Sequence, residues 1–258
     1  ATEIEDTTMR GIVSSGMAVG KTDLPIGTDV TEQHCLPIFH VKWPDIESLF
    51  NVRKGMIETD TLRSVRYFAK MKLDGTNAGI QINPGENEVE LVVQSRTAIL
   101  TPQSDNYGLA AWVEKNRSYF ETTKTDRPII IYGEWFGQGI EGSIQIGRKV
   151  FCVFAIQYGS ELDINPETIR KALPDHPDIF LQSQVDVLNG WVANIEKCDP
   201  YVKETFGIES VGEGLVFYPV PFELDPNEPI LVQRELYKEL VFKAKNKRVL
   251  GRLLNLNF

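Results

Sequence analysis

The chain is poor in cysteine chemistry. Cys35, Cys152 and Cys198 are far apart and odd in number. None belongs to a CxxC pair, and no histidine cluster accompanies them. That pattern argues against a structural zinc site and a disulfide framework and favours a reducing compartment. Long apolar runs are also missing. The longest, Pro128–Tyr132 and Val150–Ile156, are strand-length, well short of the roughly 20 residues that span a bilayer. No charged-then-apolar leader opens the sequence, so nothing points to secretion. There is no internal repeat and no low-complexity tract. No membrane partner is expected, and the expected location is the cytoplasm, that of the host if the source is viral.

What is present suits a globular domain. The 258 residues are 42% hydrophobic with a mean hydropathy of -0.20, which allows one large domain or two small ones. The net charge of -9 argues mildly against nucleic acid. The charge is uneven, however. From Arg234 to Arg252 seven bases stand against two acids, a local +5. Polyanion binding is local, so that segment counts for more than the sum.

Residues 1–36 are polar, rich in Gly, Thr and Asp, and read as an irregular segment preceding one domain over 37–258. Helical spacing predicts a helix from Pro44 to Met56 with Asp45 near its start. Val65–Met71 and Asn77–Asn83 read as strands. Asn83-Pro84-Gly85-Glu86-Asn87 is a turn, and Val89–Ser95 closes a hairpin. A short amphipathic helix is expected over 106–116. Strands at 128–135 and 149–157 flank a Gly-rich loop. Helices are expected over 165–173, with Pro166 at the first turn, and over 185–197. Strands follow at 214–219 and 239–246, and the tail 248–258 reads as a helical turn or a strand. Strands joined by turns, with helices grouped between them, indicate α+β with antiparallel sheets.

Lys72-Leu73-Asp74-Gly75-Thr76-Asn77 puts a lysine, a carboxylate and a glycine where a strand ends. This is how a lysine is held when its amine must attack a phosphate, although alone it also fits a solvated strand lysine. A free lysine is almost wholly protonated at neutral pH. A cation about 4 Å away, at an effective dielectric of about 20, contributes roughly 4 kcal/mol toward changing that. Lys70, Lys243 and Lys245 are the candidate neighbours. Arg96, ending the hairpin strand, can grip a phosphate as a fork or sit on the surface. Glu134 is a carboxylate in an otherwise apolar strand and needs a partner, either a ribose hydroxyl or a core arginine. Phe151 and Phe154 point to opposite faces of one strand, so at most one of them stacks on a base; otherwise both are core. Glu213 stands between glycines, as a metal carboxylate or a turn acid. In Phe242-Lys243-Ala244-Lys245 the two lysines share one face, turned to a polyphosphate or to solvent.

In this order the segments resemble the covalent nucleotidyltransferases, the superfamily of polynucleotide ligases and mRNA-capping enzymes, from about residue 38 to 250. Lys72-Leu73-Asp74-Gly75 is similar to the KxDG signature whose lysine carries AMP. Asn77 resembles the RNA ligase 2 branch, as does Phe242-Lys243-Ala244-Lys245-Asn246. The resemblance implies an adenylyltransferase domain of antiparallel sheets flanked by helices, without an OB domain. Lys72 would be the nucleophile, and ATP and Mg2+ (or Mn2+) the cofactors. Met71, Asp74, Asn77, Arg96, Glu134, Phe154, Lys243 and Lys245 would bind the nucleotide. Arg96 would contact ribose or phosphate, Glu134 the ribose hydroxyl, Phe154 the adenine, the two lysines the α-phosphate, and Glu213 the metal. The partner would be RNA with a 5′-phosphate and a 3′-hydroxyl, and the protein a monomer. Two departures stand out: Met71 occupies a place where relatives often have glutamate, and Ala155 one where aspartate is usual. The sequence also stops 13 residues after Lys245, leaving no room for the domain that follows in relatives. A catalytic domain cut from a longer protein and a minimal ligase are both compatible with that. The rival readings are a minimal ATP-dependent DNA ligase, a GTP-using capping enzyme and a non-catalytic RNA-end-binding protein on the same fold.

Overall fold

The computed structural model describes residues 39–59, 66–123, 125–185, 195, 198–220, 225 and 227–245. The expected irregular segment 1–36, the tail 248–258 and nearly all of the helix expected over 185–197 lie outside the described residues.

Two sheets face each other. The first has the spatial order β1 (Glu47–Ser48), β13 (Phe242–Lys245), β11 (Gly214–Val220), β2 (Arg66–Lys72) and β10 (Gln184–Val185). The second runs β12 (Leu231–Gln233), β8 (Glu161–Asp163), β7 (Lys149–Tyr158), β6 (Ile129–Gly137), β3 (Thr76–Asn83), β4 (Glu90–Ser95) and β5 (Ile99–Leu100). A short strand, β9 (Ile179–Leu181), lies parallel to β7, and β1 is parallel to β13; the other pairings are antiparallel. The helices are α1 (Leu49–Glu58), α2 (Leu109–Lys115), α3 (Arg117–Thr122), α4 (Pro166–Ala172), α5 (Pro200–Phe206) and α6 (Arg234–Leu240). The expected α+β architecture of antiparallel sheets and flanking helices is the one observed.

The central strand β6 shows how the sequence sets the layers. Ile129, Ile131 and Trp135 pack with Leu109, Val113 and Phe120 of the helical layer. Ile130 and Tyr132 pack toward the other sheet, with Phe68, Val216 and Tyr218. Both faces are covered, so the strand reads as a continuous apolar run. Each fully buried Ile or Phe contributes roughly 1.5–3 kcal/mol of transfer free energy. The period of two then carries Glu134 to the face between the sheets, opposite Trp135.

Three elements differ from expectation at their starts. The first helix begins at Leu49, because Ser48 caps it by accepting from the Asn51 N–H at 3.3 Å; Asp45 instead accepts from Lys42 and Arg96. The helix expected from 106 begins at Leu109, since the Asp105 carboxylate accepts from the N–H groups of Ala110 and Ala111 at 2.8 and 2.9 Å. The strand expected over 239–246 is shorter. Residues 234–240 form α6 because Arg234, Tyr237 and Leu240 make a buried helical stripe. The same stripe corrects the reading of the basic segment. Arg234 is buried, donating to the Gln157 side chain and the Lys42 carbonyl, so it adds nothing to a charged surface.

Candidate active site

A cavity of about 340 Å³ opens between the sheets, near the small end of the ligand-pocket range. Met71, Lys72, Asn77, Arg96, Glu134, Phe154, Lys243 and Lys245 all line it. Glu213 lies immediately behind the lysines. Asp74 is not among the lining residues. Its carboxylate accepts from the Ser143 N–H at 2.7 Å, fastening the Gly-rich loop to the end of β2. Gly142 in that loop has φ of +151°, and a Cβ there would meet the Asp74 carbonyl at 2.5 Å.

The lysines converge through register. Gly214 of β11 is paired with Lys72 of β2 on one side and Lys245 of β13 on the other. The residue before it therefore falls between two lysines. Glu213 is 6% exposed, accepts from Lys72 Nζ at 2.6 Å through Oε2 and forms an ion pair with Lys245 Nζ at 3.1 Å through Oε1. Gly214 has φ of +149° and brings β11 so close to β13 that a Cβ would lie 2.0 Å from the Ala244 carbonyl. Only glycine permits that approach.

Strict alternation along β13 turns Lys243 and Lys245 the same way, and Phe242 stacks on Phe217 at 4.5 Å. Lys243 is in no ion pair or hydrogen bond among the described residues. Loss of solvent, then the charges of Lys245 and Lys72, lower its pKa. Arg96, well exposed, pairs with Asp45 at the rim. Hydrogen bonds from Lys42 and Arg96 hold the Asp45 carboxyl down at about 2.

Lys70, two residues before Lys72, has a different fate. It is fully buried, donates to the Phe154 carbonyl at 2.8 Å and lies 4.9 Å from the Tyr218 ring centroid. Burial brings its pKa down to about 7, against an opposing pull from Asp163. The carbonyl it binds belongs to a bulge. Tyr132 faces Ala155 and Gly133 faces Val153, so Phe154 is the extra residue of β7. Phe154 and Ala155 both join the cluster between the sheets, with Trp43 edge-on to Phe154 at 4.9 Å, whereas Phe151 joins the helical layer. Phe154 is thus core and cavity wall at once.

Glu134 is the acid of the opposite wall. Desolvation raises its pKa to about 8, countered by the Lys72 charge and reinforced by Glu213 and Asp74. No cluster of three or more His, Cys, Asp or Glu suited to a metal occurs among the described residues. Glu213 beside the cleft still fits a hard cation that completes its shell with water and phosphate oxygens, as Mg2+ does; it does not make an all-protein cage.

Motif reading missed Trp43, Gln182 and Tyr218, which also line the cavity. Trp43 and Tyr218 were visible only as aromatics. Gln182 carried no signal at all.

Two facing, largely antiparallel sheets enclose the lysine-lined cleft. The sequence model of the RNA ligase family matches residues 65–238, well over half of the chain, and the protein belongs to that family. No curated protein matches it. Among solved structures it is similar to Naegleria gruberi RNA ligase variants determined with ATP and Mn. Against one, identity is 18% and the TM-score 0.54, covering 90% of this chain and 63% of that one. Against a second they are 18% and 0.54, covering 96% and 67%. Against a third they are 18% and 0.55, covering 84% and 59%. The shared property at this identity is the fold, and the chain spans about 63% of the length of the first.

Proposed function

We propose that the protein is an ATP-dependent RNA ligase that works through a lysyl-AMP intermediate on Lys72. The observation that carries this reading is the placement of Lys72 Nζ on the cavity wall, 2.6 Å from Glu213, with Lys243 and Lys245 on the same wall. Family membership supports RNA as the substrate class, and a like fold solved with ATP and Mn supports the nucleotide.

In the first step the Lys72 amine attacks the α-phosphorus of ATP. An N–P bond forms, the bond to the pyrophosphate oxygen breaks, and the proton released from the nitrogen passes to water as pyrophosphate leaves. A 5′-phosphate oxygen of RNA then attacks the same phosphorus, and the P–N bond breaks as AMP passes to the RNA. A 3′-hydroxyl attacks the activated 5′-phosphate, the phosphodiester forms and AMP leaves. The covalent intermediate splits one hard displacement into easier ones. Lys243 and Lys245 hold the α-phosphate, and their positive charge is aimed where negative charge develops. A divalent ion held by Glu213 would add Lewis-acid stabilisation of the phosphoryl group. Phe154 and Met71 form the adenine slot, Glu134 bonds a ribose hydroxyl, and Asn77 and Arg96 contact ribose or phosphate. Asp74 supports the nucleotide from outside the cavity by fixing the loop.

The end-joining half is tested on a nicked duplex with a labelled 5′-phosphate. Sealing should occur when the nick lies in an RNA strand, with AMP-capped RNA trapped when the 3′-hydroxyl is removed. Sealing of nicked DNA but not nicked RNA would overturn the substrate assignment.

A further inference from the structure

Gln182 is a polar group without a use. Its side chain is 4% exposed and lines the cavity, yet its amide Nε2 is buried with no hydrogen-bond partner among the described residues. Buried amides left unpaired are costly and rare, and this one belongs to a side chain of the cavity wall, where a ligand can supply the missing partner. Its position is fixed. The backbone N–H of Gln182 donates to the Val153 carbonyl at 2.9 Å, beside the bulge that turns Phe154 into the cavity. Two residues on, Gln184 pairs with Lys70 of β2. Gln182 therefore bridges the two sheets, between the aromatic wall and the lysine strand.

The surrounding wall offers little else to read a base. Trp43, Ile46, Met71, Phe154 and Val216 present apolar surface there. Stacking on such a surface is indifferent to which purine is bound, because every base has a π-face. Met71, next to the nucleophile, is at best a weak acceptor.

We propose that Gln182 selects the nucleobase, an inference that rests on the nucleotidyl-transfer reading above. A glutamine amide sets one donor beside one acceptor. That pair matches adenine, whose amino group donates beside a ring-nitrogen acceptor. Guanine carries a carbonyl where adenine carries the amine, so the acceptor half of the amide would face another acceptor.

The test is covalent charging of Lys72 over a range of ATP, GTP and purine riboside triphosphate, which lacks the exocyclic amine. Wild type should prefer ATP over both. Gln182→Leu should raise the half-saturating ATP concentration about tenfold, narrow the ATP preference by a similar factor and leave the maximal charging rate nearly unchanged. Gln182→Glu, nearly the same shape, keeps an acceptor but loses the amide donor and should fall between. Thermal melting of each variant reports folding. Variants that keep the wild-type nucleotide preference, or that lose charging equally with all three nucleotides, would overturn the role in base selection while leaving the ligase reading intact. A wild-type protein charged by none of them would overturn both.

Discussion

The wall of the cleft built by β2, β11 and β13 carries charge, whereas the wall built by β6 and β7 carries rings and one carboxyl. On the first, Glu213 is paired with Lys72 and Lys245, and Lys243 lines the cavity beside them. On the second, Phe154 is packed by Trp43, while Glu134 has lost enough water that its carboxyl titrates near 8. The charged wall is arranged for a ligand that brings negative charge, the aromatic wall for one that brings a flat apolar face. Lys70 belongs to the first sheet but reaches across to the second, where the Phe154 carbonyl accepts from its amine, while the Tyr218 ring of its own sheet covers it. Two lysines on one strand face thus do separate work. Lys70 joins the walls and Lys72 faces the cavity.

That contrast breaks most completely at Glu213. Glu213→Gln should cut the rate of AMP attachment about a hundredfold or more, the scale for losing a group that stabilises developing charge, here the divalent ion that Glu213 would hold. It should also destabilise the fold by about 1–3 kcal/mol, since Lys72 and Lys245 would share a site without their common acid; their partial exposure reduces the cost of a broken buried pair. Single-turnover charging and urea unfolding measure the two effects, and an unchanged charging rate would remove Glu213 from the chemistry.

Lys243→Ala should slow charging strongly while leaving the unfolding midpoint nearly where it was, because its amine is in no ion pair among the described residues. A large drop in stability with normal charging would reverse the division between the walls.

The two walls should also show opposite pH slopes in stability. Glu134 titrates at about 8 folded against an ordinary 4.5. Its contribution is fully present below 4.5 and is lost as pH rises through 8. Lys70 titrates at about 7 folded against an ordinary 10.5. The unfolded chain binds the extra proton across that interval, so this contribution grows from pH 7 toward 10.5. Glu134→Gln should flatten the loss between pH 5 and 8, and Lys70→Met the gain above pH 7, in urea titrations across the range. Profiles superimposable on wild type would contradict the assigned titrations.

The smallest effect is expected at the rim. Arg96→Ala breaks an exposed pair with Asp45, and such pairs contribute about 0–1 kcal/mol. Stability should barely change, while the half-saturating ATP concentration rises several-fold if Arg96 reaches the nucleotide. No change in either would confine Arg96 to the surface.

Much of this was legible in the sequence. The apolar runs of β6 and β7, the lysine ending β2 and the alternating lysines of β13 were visible because local period and strand-end chemistry coincide there. The less legible parts depend on what the chain meets in three dimensions. Nothing in Gly212-Glu213-Gly214 says that register will set the acid between Lys72 and Lys245. Phe154 becomes both core and cavity wall only through a bulge, which has no sequence mark. Nothing in the segment around Asp74 announces that its carboxylate will fasten the loop carrying Ser143. The strand expected from 239 started later because Leu240 completes a helical stripe begun at Arg234, and a two-residue period cannot detect that stripe. Gln182 was invisible, since its interest arises wholly from an amide left unpaired by tertiary structure.

The most direct test of the central claim is the intact mass of the protein after incubation with ATP and Mg2+, with GTP and Lys72→Ala as controls. The account predicts a gain of one AMP with ATP, lost in Lys72→Ala. Failure of wild type to gain AMP, or an equal gain in Lys72→Ala, would contradict it.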